Sequence, residues 1–429
     1  MSKYKIYLVL MIILPITGFS QTTLTLEESR REALENNKTI RSSILDVLKA
    51  EAGVKEARTA YLPAIDGSAS ALYIPDLEEL RMFGISRDDL ELYQAQFTAQ
   101  QPVYVGGKIR LANKMAKTSV SMAQNAREMK TAEIILQTDE AFWSLVAMQE
   151  QQKVLMRYKQ ALDSLEQQLA LSYELGLVPK SELLKVRVQK NETEVTAVEV
   201  DNAVRLLQMN LAQIIGRPLN EPIKAVVDSD FIFQIDTMAP GNALSDASER
   251  PEIKILEDKV FLSELQKKMT RADYLPQLGA QVSYGYLNVP DIVSGTWQLN
   301  AGAQLSIPII HWREKKHKMD KAKISEQLAI LELENNRELI NLEIQQAWLK
   351  LQEGVEKIRL AQKNVDEAVE SLSEVEISYN AGLNTITDLL NAQAARQRAE
   401  ASLVEAKSNY QVLKSAWLKA IGRLADVSQ

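Results

Sequence analysis

The sequence has no cysteine, only two histidines, and few residues that turn a chain: 16 Gly and 12 Pro in 429 residues. Average usage of ~7% Gly and ~5% Pro would supply roughly 50 of the two together. The shortage favours long unbroken elements over the many loops of a multi-domain α/β enzyme. Without cysteine there are no disulfides, thiolate nucleophiles, or cysteine-based zinc or iron–sulfur sites. With two histidines, most imidazole catalysis is excluded as well. A basic balance is also lacking: the net charge is −7, so a nucleic-acid binder is not expected. After the N-terminus no apolar run reaches the ~18–20 residues of a membrane-spanning helix.

What is there begins with a secretory leader. Lys3 and Lys5 precede an apolar stretch from Ile6 to Phe19, interrupted once by Pro15. Residues 1–21 read as a signal peptide, cleaved near Ser20 or Gln21. Removing two lysines and no acid leaves the mature chain more acidic still.

The chain then matches itself. Ala60-Tyr61-Leu62-Pro63 aligns with Asp273-Tyr274-Leu275-Pro276 at an offset of 213. Pro102 aligns with Pro308 at an offset of 206, as do Tyr173-x-x-Gly176-Leu177 with Tyr379-x-x-Gly382-Leu383. Ile215-Gly216-Arg217 and Ile421-Gly422-Arg423 close the series at 206. The difference falls between Tyr61 and Pro102, so one loop is longer in the first half. Two units follow, residues 22–216 and 248–429, joined by a linker at 217–247 that holds three of the 12 prolines.

Each unit reads helix, strand, loop, strand, very long helix, turn, helix. Lys108 to Leu175 contains neither Gly nor Pro, and Arg313 to Ala381 only Gly354. A helix of close to 70 residues is roughly 100 Å long and needs a partner along its length. Ile358, Ala361, Val365, Ala368, Leu372, Val375 and Tyr379 alternate spacings of three and four. The returning segment repeats the rhythm at Leu403, Ala406, Tyr410, Leu413, Trp417 and Ala420, and its first-half counterpart at Ala197, Val200, Val204, Leu207, Leu211 and Ile214. These are coiled-coil seams, joined by tight turns at Gly176 and Gly382.

Four segments alternate with period two. Leu278, Ala280, Val282, Tyr284 and Tyr286 oppose Gln277, Gly279, Gln281, Ser283 and Gly285; Trp297, Leu299, Ala301, Ala303 and Leu305 oppose Gln298, Asn300, Gly302, Gln304 and Ser306. Tyr93, Ala95, Phe97 and Ala99 alternate with glutamines and Thr98, and Ile65, Ala69, Ala71 and Tyr73 with Asp66, Ser68 and Ser70. About ten residues each, apolar on one face and uncharged polar on the other, these are the pattern of outer-membrane barrel strands. A soluble antiparallel sheet alternates in the same way; the leader and the long helices favour the membrane. Four strands cannot close, and open edges in lipid are forbidden. Several chains must therefore share a barrel. Two give a filled eight-stranded one, and three give twelve strands with an open lumen.

The repeat, the Leu-Pro before strands one and three, the Tyr-x-x-Gly-Leu turns followed by acid-Leu-Leu and the Ile-Gly-Arg ends together resemble the TolC family of outer-membrane efflux proteins, over essentially the whole mature chain. The resemblance implies a mainly α chain with a small β part, long coiled-coil hairpins forming an α-barrel, and four strands per chain in a trimeric 12-stranded β-barrel. It implies a non-enzymatic exit duct of a tripartite efflux or secretion system, without cofactor, in the outer membrane with a long periplasmic extension. The implied partners are two further copies, a periplasmic adaptor protein, an inner-membrane pump of the RND or ABC type and outer-membrane lipid. Gly176, Leu177, Gly382 and Leu383 take the place of the adaptor contacts at the periplasmic tip. Tyr379 matches a constriction tyrosine, Glu182 an acidic partner on the other hairpin, and Asp388 an acidic ring. Asn384 stands where the best-known member has a constriction arginine, and Asn391 replaces a second acidic ring. Glu182 and Asp388 could instead serve only their helix starts, where acids are favourable.

Three further expectations complete the reading. His311 and His317 are spaced six apart, unlike an i, i+4 metal pair, and no HExxH is present. The linker at 217–247 is expected to form a belt around the tube, and residues 76–92 an extracellular connection. A coiled-coil envelope protein without transport activity explains the seams but not the alternating strands.

Overall fold

The computed structural model describes residues 22–75, 89–227, 250–290 and 293–425. The leader at 1–21, most of the linker and residues 76–88 lie outside the described residues. The element order is β1 (Thr22–Leu24), α1 (Leu26–Asn36), α2 (Lys38–Thr59), β2 (Ala64–Pro75), β3 (Asp89–Val105), α3 (Lys108–Glu174), α4 (Lys180–Ile215), β4 (Ile223–Ala225), α5 (Pro251–Ala272), β5 (Gln277–Val289), β6 (Val293–Ser306), α6 (Glu314–Asn380) and α7 (Ile386–Ala420). The repeat is carried into structure with its offsets intact. α2 and α5 each have 22 residues, α3 and α6 each 67, and α4 and α7 have 36 and 35.

Two features of the first unit depart from the expected order. Its opening helix is split: α1 starts with a Thr25–Glu28 capping box and ends at Asn37, whose extended backbone (φ −62°, ψ 130°) restarts the chain as α2. The buried Asn37 side chain accepts from the Thr39 amide at 2.8 Å and donates to the Ile214 carbonyl at 2.8 Å. Its repeat equivalent, Arg250, has nearly the same backbone (φ −61°, ψ 136°) and donates to the Ala420 carbonyl at 3.1 Å, the equivalent of Ile214. Each returning helix is thus tied at its last turn to the start of its own unit, satisfying a carbonyl that the helix end leaves open. The second departure is β1, which pairs in parallel with β4 from the linker region, Thr22 to Ile223 and Leu24 to Ala225.

α3 and α6 run the full length of the helical part. At the strand end they lie side by side with α2 and α5, in the order α2–α3–α5–α6; at the turn end the order is α4–α3–α7–α6. The heptad seam expected on α6 is the seam observed: from Ile358 to Tyr379 the shielded positions are Ile358, Ala361, Val365, Ala368, Leu372, Val375, Ser378 and Tyr379, and the rest are exposed. Three apolar clusters fill the wall. One gathers β1, α1, α3, α4 and β4 around Phe142 and Leu211; one joins α3, α5, α6 and α7 around Trp417; one lies toward the turns around Leu162 and Ile386. Between α1, α3 and α7 sits an ion pair withdrawn from water. The Arg30 guanidinium donates to both Asp139 carboxylate oxygens (2.7 and 2.6 Å), and Ser415 Oγ donates to the same carboxylate at 2.5 Å.

β2, β3, β5 and β6 form one antiparallel sheet in that order. The register matches like with like: Ala99 opposes Val282, Phe97 opposes Tyr284, Tyr284 opposes Leu299 and Tyr286 opposes Trp297, while Gln96 opposes Gly285 and Gln281 opposes Gly302. One face is therefore apolar across all four strands and the other polar, because a slip of one residue would exchange the faces. Trp297 stacks on Tyr284 with ring centroids 5.1 Å apart. The strands are longer than the expected ten residues, at 12, 17, 13 and 14. β3 already begins at Asp89, so residues 89–92 belong to the sheet rather than to the connection before it. Bulges interrupt the register at Pro102/Tyr104 and Leu287/Val289, where the missing proline N–H and the approaching hairpin disrupt the ladder.

Candidate functional site

The turn end of the molecule brings together most residues singled out in the sequence. α3 ends at Gly176 (φ +73°) and α6 at Gly382 (φ +75°), both in the left-handed region that glycine enters without a Cβ penalty. The amides of Gly176 and Leu177 donate to the carbonyls of Tyr173 and Ser172, both at 2.9 Å; those of Gly382 and Leu383 donate to Tyr379 and Ser378 at 3.0 and 2.9 Å. This is the Schellman closure of a helix end, made twice. It leaves Leu177 73% and Leu383 80% exposed, with Leu175, Leu171 and Ile377 also open to solvent. The exposed apolar residues are thus gathered at one end of the helical part.

The two turns restart differently. α4 begins at Pro179 with no side-chain cap, whereas α7 begins with a capping box: Asp388 N donates to Thr385 Oγ1 at 3.3 Å, and the Asp388 carboxylate accepts from Thr385 N (2.9 Å) and Oγ1 (2.7 Å). Those hydrogen bonds from Thr385, with the Lys185 charge adding to them, hold the Asp388 carboxyl below its ordinary range. Asp388 is therefore engaged at its helix start and exposed at once. Its repeat equivalent, Glu182, lies in the first turn of α4. Tyr379 is half-buried beside the cluster around Ile386; burial pushes its hydroxyl pKa up, and the Glu182 charge pushes it further. The tyrosine and the acid from opposite hairpins are thus within electrostatic reach. Asn384 is half-buried in the second turn, and Asn391 lies exposed one turn beyond Asp388.

The sequence reading missed Lys185, whose ammonium donates to Thr387 Oγ1 at 2.9 Å and ties α4 to α7 between the two turns. The offset of 206 makes Lys185 the equivalent of Asn391, so the self-alignment contained the signal. Near the same end Glu166 accepts from Arg187 (2.8 Å) and Lys190 (2.9 Å), fastening α4 to α3. His311 and His317 do not converge on a metal-ligand group: among the described residues no cluster of three or more His, Cys, Asp or Glu is present. His311 packs edge-on against Tyr274 at 5.7 Å instead.

A family profile described as outer membrane efflux protein matches residues 30–217 and 246–423. The chain belongs to this family. It is an outer-membrane channel of an efflux or secretion system, and not an enzyme. The match breaks where the repeat breaks, at the linker. The efflux protein is 23% identical to the outer membrane protein TolC of Escherichia coli, over 98% of this chain and 87% of that one. It is 22% identical to the alkaline protease secretion protein AprF of Pseudomonas aeruginosa, over 77% of this chain and 69% of that one. Its fold superposes on the crystal structure of the CmeC outer membrane channel of Campylobacter jejuni with a TM-score of 0.79, at 18% identity over 93% and 86% of the two chains. A sheet with one apolar face and helices of 67 residues is accordingly the wall of an outer-membrane channel with a periplasmic helical extension.

Proposed function

We propose that three copies of this chain close into one passive duct, gated at its turn end and docked there to a periplasmic adaptor that couples it to an inner-membrane pump of the RND or ABC type. The observation that carries this is the open wall. Among the described residues the sheet ends in β2 and β6, both unpaired on their outer side, β2 exposed throughout and β6 exposed from Gly295 to Ser306, and the helical layer ends in α6 on one side and α2 and α4 on the other. Unmet strand edges are not tolerated in lipid. β6 and the β2 of a second copy run antiparallel, so the sheet continues without reversal. Three copies then supply twelve strands and twelve helices at either level. Twelve helices ~10 Å apart make a ring roughly 38 Å across between opposite axes, which leaves an open bore. β1 and β4 pack against α3 and α4 at the level where a linker belt would lie.

Tyr379, Glu182 and Asp388 form the constriction, with Asn384 and Asn391 widening and neutralising it. In a trimer Asp388 presents three carboxylates around the bore and favours cations. Leu177 and Leu383, set out by the turns at Gly176 and Gly382, are the apolar contacts for the adaptor. No step in this duct requires bond chemistry; the pump supplies the energy.

Single-channel recording of the purified protein in planar bilayers tests the reading. Replacing Tyr379 and Glu182 with Ala should raise the conductance, and Asp388→Ala should move the reversal potential toward lower cation selectivity. A protein that never conducts, gate residues replaced or not, refutes the duct; an unchanged reversal potential refutes the ring. Cross-linking at Leu383 followed by co-purification should recover an adaptor, and recovering none refutes the docking role.

A further inference from the structure

The charge of this acidic chain is unevenly placed. From Lys108 to Arg127 the start of α3 carries five cations and no acid; from Arg313 to Lys323 the start of α6 carries six cations against Glu314 and Asp320. Both helices begin directly below the sheet, two residues after β3 and seven after β6. Arg110 and Lys316 sit in the first turn, where a cation opposes the positive end of the helix dipole, and the cations that follow add like charge, so the cluster favours an anion from outside the helix. The placement obeys the repeat: Arg110 and Lys316 are equivalent, and so are Lys117 and Lys323, seven residues further along the same helix face. All four are exposed, and none has an ion-pair partner among the described residues.

A second observation at the same level is apolar and strained. Trp312 is 92% exposed and Ile309 85%, between the end of β6 and the first turn of α6. Trp312 (φ +38°) and Arg313 (φ +65°) hold a left-handed backbone at the positions where the first unit has Gly106 (φ +65°) and Gly107 (φ +82°). A bulky side chain is rarely kept in that region without a use for it. Tyr61 and Tyr104, both about half exposed, lie at the same end of the strands. Aromatic side chains at a strand end followed by a run of cations is the order in which a membrane presents its acyl boundary and its phosphates.

We propose that this collar binds the anionic phosphate headgroups of phospholipids in the inner leaflet of the outer membrane, with Trp312 seated at the headgroup boundary and Arg110, Lys117, Lys316 and Lys323 supplying the charge. The collar fixes how deep the barrel sits. In a trimer its six helix starts become a continuous ring; that completeness rests on the assembly proposed above, while the lipid contact of each chain does not.

The test uses the full-length protein reconstituted in vesicles of phosphatidylcholine, alone or mixed with phosphatidylglycerol. Trp312 emission, isolated by difference against Trp312→Phe, is quenched by acyl chains brominated near the headgroup. Brominated phosphatidylglycerol should quench with about fivefold higher apparent affinity than brominated phosphatidylcholine. The preference should weaken with salt and vanish when Arg110, Lys117, Lys316 and Lys323 are all replaced by Gln. Equal quenching by the two lipids in the unaltered protein overturns the proposal, and this comparison decides it alone if the fourfold variant does not fold. Quenching by neither lipid means that a neighbouring copy covers Trp312, which also overturns it. So does a preference retained in the fourfold variant, or one abolished by inorganic phosphate at constant ionic strength, which marks a free-anion site. A reversal potential shifted toward cations in the fourfold variant places these charges on the pore lining and overturns it as well. Lipid preference lost with conductance retained separates failure of the collar from failure of the duct.

Discussion

α3 and α6 are equally long and occupy equivalent places in the repeat, yet their surroundings differ. α3 is flanked on both sides and buries seventeen residues; among the described residues α6 packs chiefly on α5 and α7 and buries six. Val154 of α3 is 5% exposed beside Tyr158 and Gln393, while its equivalent on α6, Leu360, is 55% exposed. Leu136 packs against the cluster around Trp417, and its equivalent Leu342 is 51% exposed. Two copies of one unit solve the packing problem only once within a chain, because the second long helix has no third unit to lean on. At the sheet each unit supplies one strand paired on both sides, β3 and β5, and one that among the described residues is paired on a single side, β2 and β6. The face that α3 fills internally is left exposed on α6, which is where the proposed second copy would sit.

The largest effect should come from attacking that open face. Leu342→Asp combined with Leu360→Asp should leave a helical chain that no longer forms trimers, read by native mass spectrometry in detergent. The equivalent pair Leu136→Asp and Val154→Asp should unfold the chain itself. A trimer that survives the α6 substitutions removes α6 from the interface.

Next is the buried Arg30–Asp139 pair, whose carboxylate is replaced by Gln345 in the second unit. Asp139→Ala leaves Arg30 buried and unpaired, and should cost about 3–5 kcal/mol in denaturant unfolding. Gln345→Ala, at the equivalent and exposed position of α6, should stay within ~0.5 kcal/mol. Smaller again is the tie at the start of the unit. Asn37→Ala removes a helix cap and the donor to the Ile214 carbonyl, an expected loss of about 1–3 kcal/mol in the same measurement.

The two tips should part on acidification. Asp388 is held below its ordinary value of 3.8, so its capping box stabilises above that value and is lost as the pH falls through the lowered one. Cleavage by an acid-active protease at the Gly382 turn should accelerate only below that value, with no matching change at Gly176, which lacks the box. The smallest effect is expected at Tyr158, a buried hydroxyl with no hydrogen-bond partner among the described residues. Tyr158→Phe should be neutral or stabilising within ~1 kcal/mol, since nothing is left unpaired.

Much of this architecture is legible in the residues because it is periodic. The three-and-four spacing from Ile358 to Tyr379 placed the α6 seam, and the alternation from Gln277 to Tyr286 placed the faces of β5, since each period allows one element type. The break at Asn37 was not legible, because Asn is tolerated inside helices and only the distant Ile214 carbonyl gives it a reason to stop one. Nor was the β1–β4 pairing, made of three residues on each side. At the turn end the Gly-Leu motifs located both turns. The self-alignment marks Lys185 as the equivalent of Asn391 but not its contact with Thr387, which depends on how two hairpins with separate sequences lie against each other.

The lengths, faces and order of the elements follow from the residues, through the absence of helix breakers and the two hydrophobic periods, and so does the fact that everything is made twice. Which copy is enclosed depends on the packing in three dimensions. That packing set α3 between both neighbours, joined β3 to β5 so that β2 and β6 became edges, buried Arg30 with Asp139, and drew Asp388 into a cap. Periodicity specifies what an element can bury; the three-dimensional neighbourhood specifies what it does bury, and in this channel the difference between the two is the apolar surface that a single chain leaves exposed.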